Sequence, residues 1–292
     1  MLKNSILCYI FFMIDLHTHS TASDGILTPS ELVKHAASHN VTVMALTDHD
    51  TVDGLEEAAK TARETGITFV SGVELNIQWP TGEFHLLGLG LKKIGDELSS
   101  VLNRLKNGRN ERNMLMIERM KQAGFDADLD EIKAKFNTEC IGRPHFAAYM
   151  VEKKIVKTRQ QAFDKYLAKN APWYIERTGA DLDEAINAIK LSGGRPVMAH
   201  PLSIYVSFGK IRPVLEGLKE RGIEGLEAFH PGARVGECLR LEELARDIGF
   251  FVTAGSDYHG EAVRADRKIG HTCGGKKIEE SIWDDIKEII LG

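Results

Sequence analysis

A chain of 292 residues is long enough for one large core, or for one core with a small subdomain. Its formal net charge of −5 gives no global electrostatic footprint for duplex DNA, so any nucleic-acid contact must be local. The 4 cysteines, Cys8, Cys140, Cys238 and Cys273, are scattered without a C-x-x-C pair, which argues against a disulfide framework and for a reducing, cytoplasmic compartment. The opening "MLKNSILCYIFFMI" mimics a signal peptide, but its apolar run is too short to span a membrane. The first small-residue cleavage site, "TAS", lies beyond His17 and His19, against secretion. Residues 1–12 read as an N-terminal extension that either lengthens the first strand or precedes a natural start at Met13.

The first strand leads into "MIDLHTHSTASDG". Two histidines one residue apart on an extended chain point the same way, a chelating geometry, and Asp24 follows them. "TPSELVKHAASHN" then begins a helix, with Thr28 as N-cap, Pro29 at the first helical position and Glu31 completing a capping box. His35 and His39, four apart on that helix, read as solvated helix histidines because no third ligand is near. "VTVMALTDHD" is an apolar strand ending at Asp48 and His49, and "TVDGLEEAAKTARETG" a helix closing on Gly66. "ITFVSGVEL" is a strand ending at Glu74, and "FHLLGLGL" a strand with His85 near its start. From about Arg104 to Lys190 the pattern is charged and helical, in "RNMLMIERMKQAGF", "GRPHFAAYMVEKK" and "TRQQAFDKYLAKN". Strands resume with "RPVMAHP", "GIEGLEAFHP" and "GFFVTAGSDYHG", ending at His200, at His230, and at Asp257 and His259.

Strands that are apolar runs, alternating with helices, predict an α/β fold with buried parallel strands. Metal-capable residues sit near the ends of seven successive strands. A parallel barrel gathers the C-terminal ends of its strands into one mouth, whereas an open doubly wound sheet spreads them along a line. The expected fold is therefore a distorted (β/α)7 TIM-like barrel built from residues 13–103 and 191–292, with 104–190 as a helical insertion packed beside or over the mouth.

The converging set is His17, His19, Asp24, His49, Glu74, His85, His200, Asp257 and His259. Imidazole with carboxylate suits manganese, iron or zinc, and the absence of thiolates excludes a closed structural zinc site. Nine ligands exceed the needs of one ion, so two or three divalent ions are implied, with manganese the first choice. Such clusters clamp phosphoryl oxygens and generate hydroxide at neutral pH. Arg143 and His145 stand at a helix start in "IGRPHFAAYM", with Pro144 in the first turn, where an anion is favoured and Arg143 can grip phosphate bidentately. His230 ends a strand as the ligands do, and reads as a proton donor or phosphate contact. Lys169, Arg267 and Lys268 read as solvated surface cations, and Trp79 and Tyr205 as rim packing. "GLGL" lacks the spacing of a dinucleotide fingerprint.

In order, "DLHTHSTASDG", "ALTDHDTVDG", "GVEL", "HLLGLGL", "MAHP" and "GSDYHG" resemble the PHP (polymerase and histidinol phosphatase) family, in particular its stand-alone phosphoesterases, from Ile14 to about Gly270. The resemblance implies a (β/α)7 barrel and a trinuclear centre. It places His17, His19, Glu74 and Asp257 on one ion. Glu74 bridges to a second ion completed by His85 and His200, and Asp24, His49 and His259 hold a third. It also implies that the G-R-P-H stretch reaches the site to bind substrate phosphate. The expected activity is hydrolysis of a nucleotide phosphate ester by in-line attack of a metal-held hydroxide. Expected substrates are a nucleoside 3′,5′-bisphosphate or the 5′ end of a short RNA, with His145 or His230 protonating the leaving oxygen. Two alternatives stand beside it: a small-metabolite phosphatase of the histidinol-phosphate type, and a non-catalytic metal-bound accessory module.

Overall fold

Each strand alternates between two apolar environments, which is why its sequence is a continuous apolar run. The computed structural model describes residues 12–176 and 178–292; the extension expected over 1–12 lies outside them but for Phe12. Strands β1 (Met13–Asp15), β2 (Val41–Leu46), β3 (Thr68–Ile77), β4 (Phe84–Leu89), β5 (Arg195–Met198), β6 (Gly225–Phe229) and β7 (Phe251–Ala254) form one seven-stranded sheet in sequence order. One face gathers Ile14, Val43, Ala45, Leu87, Leu89, Val197 and Ala254 around the C-terminal helix α10 (Glu280–Leu291), through Trp283, Ile286 and Ile290. The alternate residues Met44 and Leu46 face α1 (Pro29–Ser38) and α2 (Leu55–Thr65). The helix starts follow their capping signals: Thr28 accepts the Glu31 N–H while Glu31 accepts the Thr28 N–H.

The sheet curls into the expected distorted barrel but is not closed. Between β7 and β1 there is no strand ladder among the described residues; the backbone bonds there are separate, from Leu16 N–H to the Ala254 carbonyl (3.2 Å) and from His19 N–H to the Tyr258 carbonyl (2.9 Å), beside a bridge between Thr18 and Tyr258. The expectation of all-parallel strands needs one correction. β4 runs antiparallel to both β3 and β5. The cause is the connection: only residues 78–83 join β3 to β4, and a parallel return needs a crossover of a dozen or more residues. The reversal brings the start of β4, and with it His85, to the end of the barrel where the other strands finish.

The long segment between β4 and β5 contains α3 (Asp96–Gln122), α4 (Leu129–Phe136), α5 (Arg143–Glu152), α6 (Arg159–Ala162), which runs into a π-helical turn (Phe163–Leu167), and α7 (Leu182–Leu191). Position 104 falls inside α3. The first half of α3, with Leu98, Val101 and Leu105, packs with α7 against Leu75 and Leu86 of the barrel. Its second half, with Met116 and Met120, joins a separate apolar cluster with Ile132, Phe146, Tyr149 and Trp173. Where the two halves meet, Arg109 reaches back to the loop after β2: its Nη2 lies 2.6 Å from Asp50 Oδ2, both side chains buried. After β5 and β6 come α8 (Phe208–Glu220) and α9 (Val235–Ile248) on the outer face.

Removing one partner of a buried ion pair leaves the other charge stranded. Arg109→Ala is therefore expected to lower stability by about 3–5 kcal/mol in urea unfolding, whereas Arg246→Ala, which breaks an exposed pair with Glu242, should change it by less than about 1 kcal/mol. Equal losses would show that the Arg109–Asp50 contact does not tie α3 to the barrel.

Candidate metal centre

Glu74 is the hub. It lies on β3 with no exposed surface, and five imidazoles face its carboxylate. Oε1 lies 2.9 Å from His85 Nδ1 and 3.1 Å from His200 Nε2. Oε2 lies 3.0 Å from His49 Nδ1 and 3.3 Å from both His17 Nε2 and His19 Nε2. Asp257 Oδ1 approaches His17, His19 and His259 at 3.7, 3.5 and 3.5 Å, and Asp24 Oδ1 approaches His259 Nε2 at 3.2 Å. All nine residues singled out as metal-capable thus converge at one end of the barrel. Their ligand atoms fall into four overlapping groups: His19, Asp24, His49 and His259; His17, His19 and Asp257; His17, Glu74 and His200; and His49, Glu74 and His85. His17, His19, His49 and Glu74 are each shared between two groups, so the geometry interleaves the residues beyond the single bridge, at Glu74, that the resemblance implies.

The protonation pattern tests whether cations fit. Ser203 Oγ donates to the Glu83 carbonyl (2.7 Å), so at 2.9 Å it can only accept from His200 Nδ1–H, leaving a lone pair on His200 Nε2. His259 Nδ1–H donates to the Asp257 carbonyl (2.9 Å), which leaves the lone pair on its Nε2. His17 Nδ1–H donates to Glu227 Oε1 (2.9 Å), again leaving Nε2 bare. In the neutral tautomers these lone pairs point at carboxylate oxygens, and a positive charge between them, a second ring proton or a metal ion, is what relieves the contact; against burial, the Glu227 and Glu74 carboxylates push the His17 pKa well up. Consistently, His17 Nε2, both ring nitrogens of His19, Asp24 Oδ1, His49 Nδ1 and Glu74 Oε2 are buried without a hydrogen-bond partner. The donor set fits divalent metal ions. Burial works against the charges of Glu74 and Asp24, yet the imidazoles around them hold both carboxyls well below the usual range, so both are ionised ligands.

Three carboxylates that set this geometry have no place among the sequence-derived candidates. Glu227, on β6, binds His17 through Oε1 and accepts the His200 N–H through Oε2 (2.8 Å). Gly255 makes room for it: a Cβ there would lie 2.2 Å from His17 Cβ and 2.7 Å from Glu227 Oε1. Asp48 accepts from Ser20 N–H (2.8 Å), Ser20 Oγ (2.6 Å) and Ser23 Oγ (2.5 Å), fixing the loop that carries His17, His19 and Asp24. Asp15 accepts from Ser256 N–H, Ser256 Oγ and Gly270 N–H, which joins the end of β1 to the end of β7; burial pushes its pKa up to about 6 against those donors. The signal for Glu227 was a charge inside the apolar run "GLEAF".

A cavity of about 510 Å³ opens over the cluster, lined by Asp24, His49, His85, His200, Asp257 and His259. Arg143 lines it, with Nη2 2.6 Å from Glu83 Oε1 and its guanidinium over the Tyr174 ring. Arg109 and Arg112, on α3, line it too, and Arg112 is buried with Nη2 on the Ile141 carbonyl (3.3 Å). His230 lines it with Nε2 buried and unpartnered, and burial pushes its pKa down to about 4. His145 is not among the lining residues. Its Nδ1 accepts the Gly142 N–H (2.9 Å), which caps α5 at the turn that carries Arg143. Of the residues set aside, Lys169 and Lys268 are exposed, Trp79 packs on Phe84 and Tyr205 is exposed at the rim. Arg267 is the exception: it is buried and lines the cavity.

Imidazole and carboxylate ligands at the open end of a distorted barrel, under a mouth rich in arginine, define the class of metal-dependent phosphoesterases. A model of the PHP domain matches residues 15–170. A 3′,5′-nucleoside bisphosphate phosphatase of Chromobacterium violaceum is 33% identical over 95% of this chain and 98% of its own. A 5′-3′ exoribonuclease of Haemophilus influenzae is 34% identical over 84% of this chain and 89% of its own. A Bifidobacterium adolescentis structure described as a metal-dependent phosphoesterase superposes with a TM-score of 0.81 at 28% identity, covering 93% of this chain and 94% of that one. The chain belongs to the PHP family, among its metal-dependent phosphoesterases.

Glu74→Gln keeps the shape of the hub but removes its charge. Elemental analysis of the purified variant should show most of the bound transition metal lost, while His39→Ala, on the exposed end of α1, should leave metal content unchanged. Wild-type metal content in Glu74→Gln would remove the carboxylate from the hub.

Proposed function

We propose that this protein hydrolyses a phosphate ester of a nucleotide that carries a second phosphate, such as a nucleoside 3′,5′-bisphosphate. The 5′ end of a short RNA is a related substrate. The observation that carries the proposal is the pairing, in one cavity, of the Glu74-centred cluster with Arg109, Arg112 and Arg143. A cluster of this kind engages the reacting phosphate, and a second phosphate needs cations of its own. Three guanidiniums share the helical side of the cavity with two partner carboxylates, Asp50 and Glu83, which leaves positive charge for an anion. The names of the relatives support the same substrate class.

In this reading His17, His19, Asp24, His49, Glu74, His85, His200, Asp257 and His259 hold two or three divalent ions, manganese first, with iron or zinc the alternatives. Bound there, the ions supply Lewis acidity toward phosphoryl oxygens and a nucleophile at neutral pH. Glu227, Ser203 and the Asp257 carbonyl keep three imidazoles in the ligating tautomer. Arg143 holds the second phosphate through the guanidinium edge turned away from Glu83. His145 acts through its cap on α5, and His230, neutral because burial holds its pKa at about 4, turns an unpartnered ring nitrogen into the cavity and is placed to hydrogen-bond a phosphoryl or leaving oxygen. The 104–190 segment is the lobe that brings the arginines over the mouth. The enzymes among the full-length relatives weigh against the accessory-module alternative, and the arginine row weighs against a substrate with a single phosphate such as histidinol phosphate. A reducing, cytoplasmic location completes the proposal, supported by free thiols at Cys140, Cys238 and Cys273.

The test compares kcat/KM for adenosine 3′,5′-bisphosphate, AMP and histidinol phosphate, with and without Arg143→Ala. The bisphosphate should win, and Arg143→Ala should shrink its lead by about tenfold or more. A win for histidinol phosphate, or an equal loss on every substrate, refutes the second-phosphate role.

A further inference from the structure

Arg267 is buried, at 4% exposed, and lines the cavity over the cluster. Among the described residues no hydrogen bond reaches its Nε or Nη1. The carboxylate beside it, Asp266, is exposed and lies 3.4 Å from Nε without hydrogen-bond alignment. His230 is in the same condition: 3% exposed, lining the cavity, with Nε2 unpartnered. The two side chains meet over Gly232. A Cβ at that glycine would fall 3.0 Å from His230 Nδ1 and 3.7 Å from Arg267 Nη2, so the missing side chain leaves the space between them open. A buried guanidinium with idle donors is unstable unless an anion completes it. The carboxylates nearby are already engaged, Glu227 by His17 and His200, and Asp257 by the histidines of the cluster.

The location fixes which anion. The His230 ring lies 6.2 Å from that of His200, and Arg264 Nη1, from the same loop as Arg267, lies 3.8 Å from Asp257 Oδ2. The pair therefore abuts the metal-type cluster, while Arg143 is tied to Glu83 on the β3–β4 turn. We infer that Arg267 and His230, facing each other across Gly232, form the subsite for the oxygens of the phosphoryl group undergoing hydrolysis, leaving Arg143 to the second phosphate. This rests on the phosphoesterase reading of the cluster and adds to it a cationic partner that serves every substrate alike.

The experiment is calorimetric titration of inorganic phosphate into the protein as purified with its metals, run alongside kcat/KM for adenosine 3′,5′-bisphosphate and AMP. Arg267→Gln should weaken phosphate binding by about tenfold or more and reduce kcat/KM for both nucleotides by one common factor, with metal content unchanged. Gly232→Val, which fills the space without removing either side chain, should act in the same direction and keeps the test decisive if Arg267→Gln does not fold. Lys60→Gln, on the exposed side of α2, should do nothing. Unchanged phosphate affinity in both site variants, or no measurable phosphate binding by the wild type, overturns the subsite. A loss confined to the bisphosphate also overturns it, since that would place Arg267 on the second phosphate. If no nucleotide is hydrolysed, the calorimetry still reads the subsite. If the nucleotides react as proposed while phosphate affinity is untouched, the activity stands and the subsite falls.

Discussion

The structure depends on a carboxylate that cannot be satisfied by hydrogen bonds alone. Glu74 lies at the centre of the mouth with imidazoles on both oxygens, and two of them, His17 and His200, place one ring nitrogen on a partner elsewhere, so that in the neutral form they have no proton left for Glu74. The partners that take those protons, Glu227 and Ser203, belong to β6 and to the turn after β5, so the frustration at the centre is imposed by the whole ring of strands. A chain free to relax would turn one ring over and form an ordinary hydrogen bond. Here the barrel holds the rings, and an added positive charge is what resolves the conflict. The seam between β7 and β1 belongs to the same ring: Asp15 draws in Ser256 and Gly270 across it, one residue from Asp257 and two from His17.

How much of this was legible in the sequence follows from how each residue announces itself. His17 and His19 share a side because an extended chain alternates, and His49, His200 and Asp257 stand where apolar runs stop; both signals are local. Strand direction is not local. A continuous apolar run reads the same in either direction, so β4 passed as parallel, although His85 at its beginning and the short connection from Ile77 to Phe84 marked the reversal. Glu227 was missed because candidates were sought at strand ends, while its position within β6 aims it at His17. Arg109 and Arg112 were not singled out within the charged helical stretch that follows Arg104. Their spacing from Leu105 and Met116 puts all four on one stripe of α3, but a stripe shows what is buried and not against what. Arg267 sits in a loop without periodicity, and only the tertiary structure reveals its burial.

Helix α3 shows how one element serves two cores. Its first half is part of the barrel's outer layer and its second half belongs to the helical cluster. The boundary between the two regions therefore runs through a continuous helix, and the arginines sit where the two apolar environments meet. An unbroken helix transmits position better than a loop does, so the cations that face the mouth are held by the same rigid rod that anchors the lobe.

The contact between Arg109 and Asp50 carries a thermodynamic consequence. Asp50 follows His49 directly, and it also accepts the N–H of Asn76, two residues beyond Glu74. The backbone that places two cluster residues is thereby the backbone that receives the lobe's arginine. Linkage makes such a coupling reciprocal: whatever factor cation loading contributes to the seating of α3, the seating of α3 returns to cation affinity. An anion held by the lobe and a cation held by the barrel would then be linked ligands, each altering the affinity of the other by the same factor without contact between them.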